Sequence, residues 1–147
     1  MATSNAATTY LEHRLLNFLF KNNAISFASP GNSIYVGLAT AVSDAEAGTL
    51  TEVNTSTQDA NYVRRQVNAA GWTIASASTN QQTVVNAANI EYPASSGIAT
   101  YTVTHAFIAD ASTSGNILFV GALDASKAIS SGDIFRINAG NLTIELK

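Results

Sequence analysis

Residues 100–123 read TYTVTHAFIADASTSGNILFVGAL, and this stretch decides the fold. Its two arms, 100–109 and 117–123, are rich in β-branched and aromatic side chains, which suit a pleated, half-buried strand. The small, polar segment between them contains Gly115, which can adopt a left-handed backbone conformation. The pattern therefore predicts a β-hairpin. Alternation along the first arm predicts one face made of Tyr101, Val103, His105, Phe107 and Ala109.

Further strand signals lie on both sides of this hairpin. Residues 33–40 form a clear strand pattern, in which Gly37 marks a bulge or a close backbone contact. Shorter strands are predicted at 61–67, 71–75, 83–92, 134–137 and 142–146. Turn residues separate these segments, which favours an all-β fold: an antiparallel, jelly-roll-like β-sandwich or a partly closed barrel with one short N-terminal helix. The length predicts a single β-sandwich domain over residues 1–147.

Two segments between the predicted strands are assigned as a loop and a connection, the first of them because it is low in large apolar side chains. Residues 41–60 carry Asp44, Glu46, Glu52 and Asp59, and we expect a long surface loop there. Long ordered loops often carry the function of a domain, so this one is a candidate contact segment. Residues 124–131 are predicted to be a connection between strands.

The N-terminal region predicts the one helix. Residues 1–9 are expected to form an extended arm and residues 10–21 a helix, with Thr9 and Glu12 at the spacing of a capping box. An apolar stripe follows at helical spacing, made of Leu11, Leu15, Phe18 and Leu19. Because so short a helix is marginal alone, the stripe must dock either on an open end of its own sheet or on a neighbouring subunit.

Composition argues for protein contacts. Hydrophobic residues make up 46% and charged residues 12% of the chain, and the formal net charge is −3. The seven basic residues are scattered, which predicts no nucleic-acid partner. No apolar run reaches membrane-spanning length, no signal peptide is expected, and the absence of cysteine excludes a disulfide framework. A neutral surface is easily desolvated, so we expect it to be covered in an assembly, the alternative being a monomer with a Thr/Asn-rich surface.

The sequence offers little for an active site. His105 is expected to be a hydrogen-bonded core histidine, and no metal-ligand spacing surrounds it or His13. Asp44 and Glu46 lack the rest of a cation-binding pattern. No nucleophile elbow and no phosphate-binding loop is present. We therefore predict no catalytic, cofactor-binding or metal-binding residues, no cofactor and no enzymatic activity.

One aromatic pair has two interpretations. Trp72 and Tyr62 could form a face on which a sugar stacks, or they could belong to the core. A further alternative is an enzyme that hydrolyses a surface polysaccharide. Such an enzyme needs two acids, and the fold could bring them together from separate positions in the sequence.

Several segments together resemble a family of small tailed-bacteriophage virion proteins commonly labelled phage tail fibre protein. The matching pieces run in order along nearly the whole chain and are 10–12, 15–16, 34–38, Glu52, 62–65, 89–93, 104–111, 115–118, 132–133 and 139–142. The resemblance is weakest at 41–60 and 71–82.

This resemblance implies a non-enzymatic virion structural protein, assembled in the bacterial cytoplasm. Since the chain lacks the repeats of a fibre shaft, our first expectation is a trimeric capsid decoration or cement protein that contacts the major capsid protein or other virion proteins. The alternative is a tail fibre, tail or baseplate component involved in host recognition. Neither nucleic acid nor a membrane is an expected partner. The expected partner-contact residues are Tyr10, Leu11, Leu15, Phe18, Leu19, Glu52, Arg64 and Arg65.

Overall fold

The computed structural model of the chain describes residues 6–24, 34–74 and 82–146. Within these ranges the chain forms one α-helix, a single 3₁₀ turn at Ala69–Gly71, and short and long strands. Their bounds are β1 Ala6–Ala7, α1 Thr9–Lys21, β2 Tyr35–Asp44, β3 Thr49–Glu52, β4 Arg65–Gln66, β5 Trp72–Ile74, β6 Gln82–Asn86, β7 Ile90–Glu91, β8 Tyr101–Ala109, β9 Ile117–Ile129, β10 Arg136–Ile137 and β11 Thr143–Leu146.

The strands form one large antiparallel sheet and two small ones. The large sheet has the order β1-β9-β8-β2-β3, and β4 also pairs with β2. It curls into a half-barrel, while β11-β6-β5 and β10-β7 form the smaller sheets. The main core contains Leu38, Tyr62, Val103 and Leu118 among its buried members. The prediction of an all-β, antiparallel, sandwich-like fold with one N-terminal helix is confirmed.

The predicted hairpin is confirmed, and its second strand is longer than expected. The strand β9 runs to Ile129, where it pairs with Tyr101 of β8. The connection predicted at 124–131 is therefore wrong over most of its length. Side chains along 124–128 are exposed, so a polar sequence is compatible with a strand whose extended form is held by backbone pairing to β8.

The side-chain alternation of β8 breaks near His105. Between the pairs Val103–Lys127 and His105–Ala122, four residues of β9 face one residue of β8, which is a large bulge. As a result Val103 lies in the main core, whereas Phe107 lies in a second cluster with Ala39 and Val120. The single five-residue face predicted from alternation is therefore wrong. His105 is half-buried beside the bulge, 2.8 Å from the Thr104 hydroxyl, and burial lowers its pKa.

The long loop predicted at 41–60 is wrong for residues 41–52, which form a hairpin, whereas residues 53–60 are turns and irregular structure as expected. Residues 41–44 continue β2, a turn at 45–48 reverses the chain, and β3 pairs back onto β2. Ala45 is fully buried in this turn, and Gly48 has a φ of +68°, a conformation that glycine adopts without steric cost. Because small residues fill these positions, the sequence of this hairpin lacks the apolar pattern that would predict it.

Gly37 makes the close contact predicted for it. A Cβ atom added to Gly37 would lie 2.2 Å from Cζ of Phe107, on the neighbouring strand β8. The Phe107 ring therefore packs directly on the backbone of β2, and it is 1% exposed.

The remaining predicted strands are present in shortened form. The strand expected at 61–67 is reduced to β4, and the one expected at 83–92 is divided into β6 and β7. The division follows from Asn86, which is buried and whose side-chain amide donates to the carbonyl oxygens of Ala88 and Asn138. Its Oδ1 accepts from the backbone N–H of Leu142, so one side chain joins three segments.

Candidate functional site: the exposed face of the N-terminal helix

The helix α1 is fixed to the sheet at its first residues. Thr8 is buried, its hydroxyl donates to the Ile117 carbonyl oxygen at 2.6 Å, and its backbone N–H donates to Leu118. The same hydroxyl oxygen accepts from the backbone N–H of Leu11 at 3.4 Å, which makes Thr8 the N-cap. The predicted cap, Thr9, is therefore wrong by one residue. The backbone N–H of Thr9 instead donates to the Glu46 carbonyl oxygen.

Only the first turn of α1 packs against the main core. Tyr10 and Leu11 lie there partly buried, and none of the thirteen residues of the described helix is fully buried. Beyond that turn the large apolar side chains are open to solvent. Their exposed fractions are Leu15 42%, Leu16 55%, Phe18 50%, Leu19 60% and Phe20 76%. We call these five residues the α1 face.

The α1 face covers a wide arc of the helix. With 3.6 residues per turn, its five side chains span roughly 200° of the circumference from residue 15 onward. Asn17 and Lys21 occupy the remaining side, and the helix ends at Asn22, whose φ of 54° is left-handed. Asn22 is thus the C-cap, one residue after the helix end predicted at 21.

The structure separates the predicted stripe into two parts. Leu11 contacts the protein's own core, whereas Leu15, Phe18 and Leu19 point outward. Sequence reasoning missed Leu16 and Phe20, which lie beside the stripe. Their own spacing of four residues was the available signal, because it places them on one side of a helix.

A second group of predicted contact residues lies inside the molecule. The Arg64 guanidinium donates from Nε and Nη2 to the two carboxylate oxygens of Glu52, each at 2.8 Å. Its Nη1 donates to the carbonyl oxygens of Ala111 and Ser114 in the β8–β9 loop, also at 2.8 Å. The guanidinium carbon lies 5.0 Å from the ring centre of Phe107. The Arg64 side chain is only 6% exposed.

Tyr62 completes this group, which we call the Arg64 cluster. Its hydroxyl donates to Glu52 Oε1 at 2.8 Å and accepts from the backbone N–H of Leu38 at 2.9 Å. Burial opposes the charge of Arg64, but the hydrogen bonds to Glu52 and its negative charge outweigh this, so the pKa of Arg64 is raised. Burial, reinforced by the charge of Glu52, also raises the pKa of Tyr62.

The Arg64 cluster has little capacity for acid–base chemistry. A cleft of about 570 Å³ lies beside it, and among the described residues Glu52 is the one carboxylate in the cleft lining. That carboxylate already accepts three hydrogen bonds from Arg64 and Tyr62. Glycoside hydrolysis ordinarily uses two acids of different protonation state, which this lining does not provide. Arg65, next in sequence, is exposed on β4.

The sugar-stacking interpretation of Tyr62 and Trp72 is wrong. Tyr62 is 6% exposed and its ring stacks on Tyr92 with 6.1 Å between ring centres. Trp72 is half-buried against the core, and its indole N–H donates to the Val67 carbonyl oxygen at 3.3 Å. Both aromatic side chains therefore serve packing, as the alternative interpretation held.

The other polar candidates have local structural roles. His13 lies on the exposed helix surface against the side-chain amide of Asn17. Asp44 accepts from the backbone N–H of Ala47 in the β2–β3 turn. Among residues 6–24, 34–74 and 82–146, no group of three or more metal-ligating side chains could hold an ion.

Asp59, placed on a surface loop by the sequence, is a buried acid. Asp59 is 2% exposed, and its Oδ1 accepts from the backbone N–H groups of Asn61 and Ser96 while Oδ2 accepts from the Tyr101 hydroxyl. Burial favours the protonated acid, but these hydrogen bonds together outweigh burial and lower the pKa of Asp59. The carboxylate joins two loops to the start of β8. An acid in a loop sequence gives no signal for this role.

These features define a class. An apolar helix face turned outward from a β body is typical of proteins that act through contact with another protein, a membrane or a ligand.

The comparison with known families specifies that class further. The family described as podophage GP4 fiber I protein gp80 matches residues 6–145, and the chain belongs to this family. A search among curated proteins returned no matching sequence. The protein is thus a phage fibre-type virion structural protein, which confirms the resemblance to tail fibre proteins. The family is not a known enzyme family and implies a location in the virion.

No helix in the described ranges has the length and apolar character needed to cross a membrane.

Proposed function

We propose that the protein is a subunit of a podophage tail fibre, built into the virion through protein contacts and without a catalytic role. The observation that carries this proposal is the match of a fibre family to residues 6–145. The exposed α1 face supports it, because an apolar patch of that size on a virion protein is suited to a permanent contact.

The mode of attachment follows from how α1 is mounted. Thr8 holds the first turn against β9, so the helix is presented at a defined position on the sheet. The remaining turns offer apolar side chains to another protein surface. Arg64 binds Glu52 and holds the β8–β9 loop within the protomer, and the partner contact expected of these two residues stays a prediction.

Tyr62 and Trp72 pack against the core, so a surface for host recognition would lie elsewhere. The β8–β9 loop is a candidate, because Ser112, Thr113 and Ser114 are exposed there on a loop fixed by Arg64. A rigid, hydroxyl-rich loop loses little conformational freedom on binding.

A second candidate function is capsid decoration, in which a trimer would stabilise the head by contacting the major capsid protein. The low charged fraction of 12% favours it, since a neutral surface is readily covered by neighbouring coat subunits. The same composition fits a fibre subunit, so the two functions differ in location rather than in surface chemistry.

The location of the protein in the virion tests both proposals. We would tag the C-terminus, purify the particles, and locate the tag by gold labelling and electron microscopy. Gold on the tail is the expected result, and gold distributed over the head would replace the fibre proposal with capsid decoration. Absence of the tagged protein from purified infectious particles would contradict both. Incubating the protein with host surface polysaccharide is expected to release no reducing sugar.

A further inference from the structure

The α1 face is a large apolar patch for an exposed surface. Its five side chains expose between 42% and 76% of their area. Taking about 200 Å² for a large apolar side chain in the open, the exposed area is on the order of 550 Å². This is near the upper limit of the apolar patches that soluble monomers expose, and patches of that size are often functional.

We propose that the α1 face packs against the α1 faces of further copies of this chain, forming a helical bundle at the centre of a homo-oligomer. The inference deepens the proposed structural function and rests on it for its biological setting. A standard interface buries about 800 Å² on each partner. The α1 face alone would contribute about two thirds of that area.

The width of the face argues for several neighbours. A helix that docks on a single surface typically presents an apolar stripe of about 100°. The α1 face spans roughly twice that arc, so one partner surface would leave half of it in water. In a bundle of three or more helices each helix contacts two neighbours, which covers a wide arc from both sides. The geometry therefore favours a cyclic oligomer such as a trimer over a one-to-one complex.

The mounting and charge of α1 are compatible with such a bundle. Only the first turn packs on the protein's own core, so the following turns can meet other helices. The charged residues of α1 are Glu12, Arg14 and Lys21, which together leave a charge of about +1 in a chain of net charge −3. Repulsion between neighbouring helices is correspondingly weak. A thirteen-residue helix is also marginal in isolation, so covering it stabilises the helix itself.

The first test is the mass of the full-length protein in solution. We would measure it by light scattering after gel filtration over a hundredfold range of concentration. The wild-type protein is expected to have at least three times the protomer mass at high concentration. The variant Leu15→Gln/Leu19→Gln is expected to have the protomer mass, because glutamine keeps the helix propensity of leucine but removes the apolar contact.

A matched control separates this effect from general surface polarity. Ile74→Gln removes an isoleucine that is 73% exposed on β5 and is expected to leave the oligomer mass unchanged. Circular dichroism would establish that each variant retains its β signal. A wild-type protein that remains monomeric at every concentration would overturn the proposal. An unchanged oligomer in the double variant, or dissociation of the Ile74→Gln control, would overturn it equally.

A second measurement does not depend on weakening the contact. The chain contains no cysteine, so Leu19→Cys introduces a single thiol on the α1 face. Mild oxidation is expected to convert most of this variant into a disulfide-linked dimer. Thr113→Cys, in the exposed β8–β9 loop, is expected to remain at least tenfold less cross-linked. Equal cross-linking of the two variants would contradict the proposal. A self-associating protein found on the phage head would contradict the fibre function and leave this inference standing.

Discussion

The Arg64 cluster and the α1 face differ in which kind of side chain is exposed to solvent. In the Arg64 cluster the charged side chains of Arg64 and Glu52 are only 6% and 28% exposed, and they bind each other and loop carbonyl groups. On the α1 face large apolar side chains point outward, with exposed fractions of up to 76%. The usual distribution of polar and apolar residues is reversed in both places.

The difference indicates two separate roles. A saturated buried cluster joins strand, loop and core, so it specifies the fold of the single chain. Apart from its first turn, the apolar helix adds little to that fold while it remains in water, and the α1 face contributes once another protein covers it. Changes in the Arg64 cluster should therefore alter protomer stability, and changes on the α1 face should alter association.

The largest effect is expected from removing Arg64. Arg64→Ala leaves the Glu52 carboxylate and two loop carbonyl oxygens without their partner, which should lower the free energy of unfolding by about 3 to 5 kcal/mol. Arg65→Ala is the matched control, because Arg65 is exposed and should contribute less than about 0.5 kcal/mol. Urea unfolding measures both. Equal losses in the two variants would show that the cluster does not specify the fold.

The next effect is expected at the contact between β2 and β8. In Gly37→Ala the new methyl group would lie 2.2 Å from the Phe107 ring, so the ring must move. Overpacking of this kind should cost about 1 to 3 kcal/mol. The double variant Gly37→Ala/Phe107→Leu should lose less than the sum of the two single variants, as a double-mutant cycle would show. Simple additivity would indicate that the contact is not tight.

A smaller, pH-dependent effect is expected from Asp59. Because its folded pKa lies below the ordinary 3.8, its contribution to stability is fully present above about pH 5 and is lost as the pH falls through the folded pKa. Tyr101→Phe removes one hydrogen bond to the carboxylate and should cost about 1.5 kcal/mol near neutral pH. It should also flatten the decline in stability below pH 5, measured by urea unfolding at several pH values. An undiminished acid slope in this variant would contradict the assignment.

The smallest effect is expected where the N-terminus of α1 is attached to β9. Thr8→Ala removes the N-cap of α1 and should cost about 1 kcal/mol, with partial loss of the helical circular dichroism signal. Thr8→Ser keeps the hydroxyl and should retain most of both. If the two variants behave alike, the Thr8 hydroxyl does not hold the helix on the sheet.

Local patterns predicted much of this fold. Two arms rich in β-branched and aromatic residues around a polar turn located the β8–β9 hairpin, periodicity located α1, and Gly37 marked the close contact with the next strand. These features depend on neighbouring residues in the chain, so sequence reasoning reaches them.

The remaining features depend on residues distant in sequence. The N-cap moved to Thr8 because that residue hydrogen-bonds to β9, 109 positions further on. The polar half of β9 is extended only because β8 pairs with it. Glu52 and Arg64 were recognised as notable residues, but nothing in their local sequence indicates that they bind each other. Of the α1 face, Leu15, Phe18 and Leu19 were predicted, whereas their exposure required the structure.

The most direct test of the account is amide hydrogen exchange in the wild-type protein at two concentrations. At high concentration, amides of α1 and of β8–β9 should both be protected. On dilution below the association threshold, the α1 amides should exchange at least tenfold faster while those of β8–β9 stay protected. Protection of α1 that does not change with concentration would contradict the claim that this helix is stabilised by other copies of the chain.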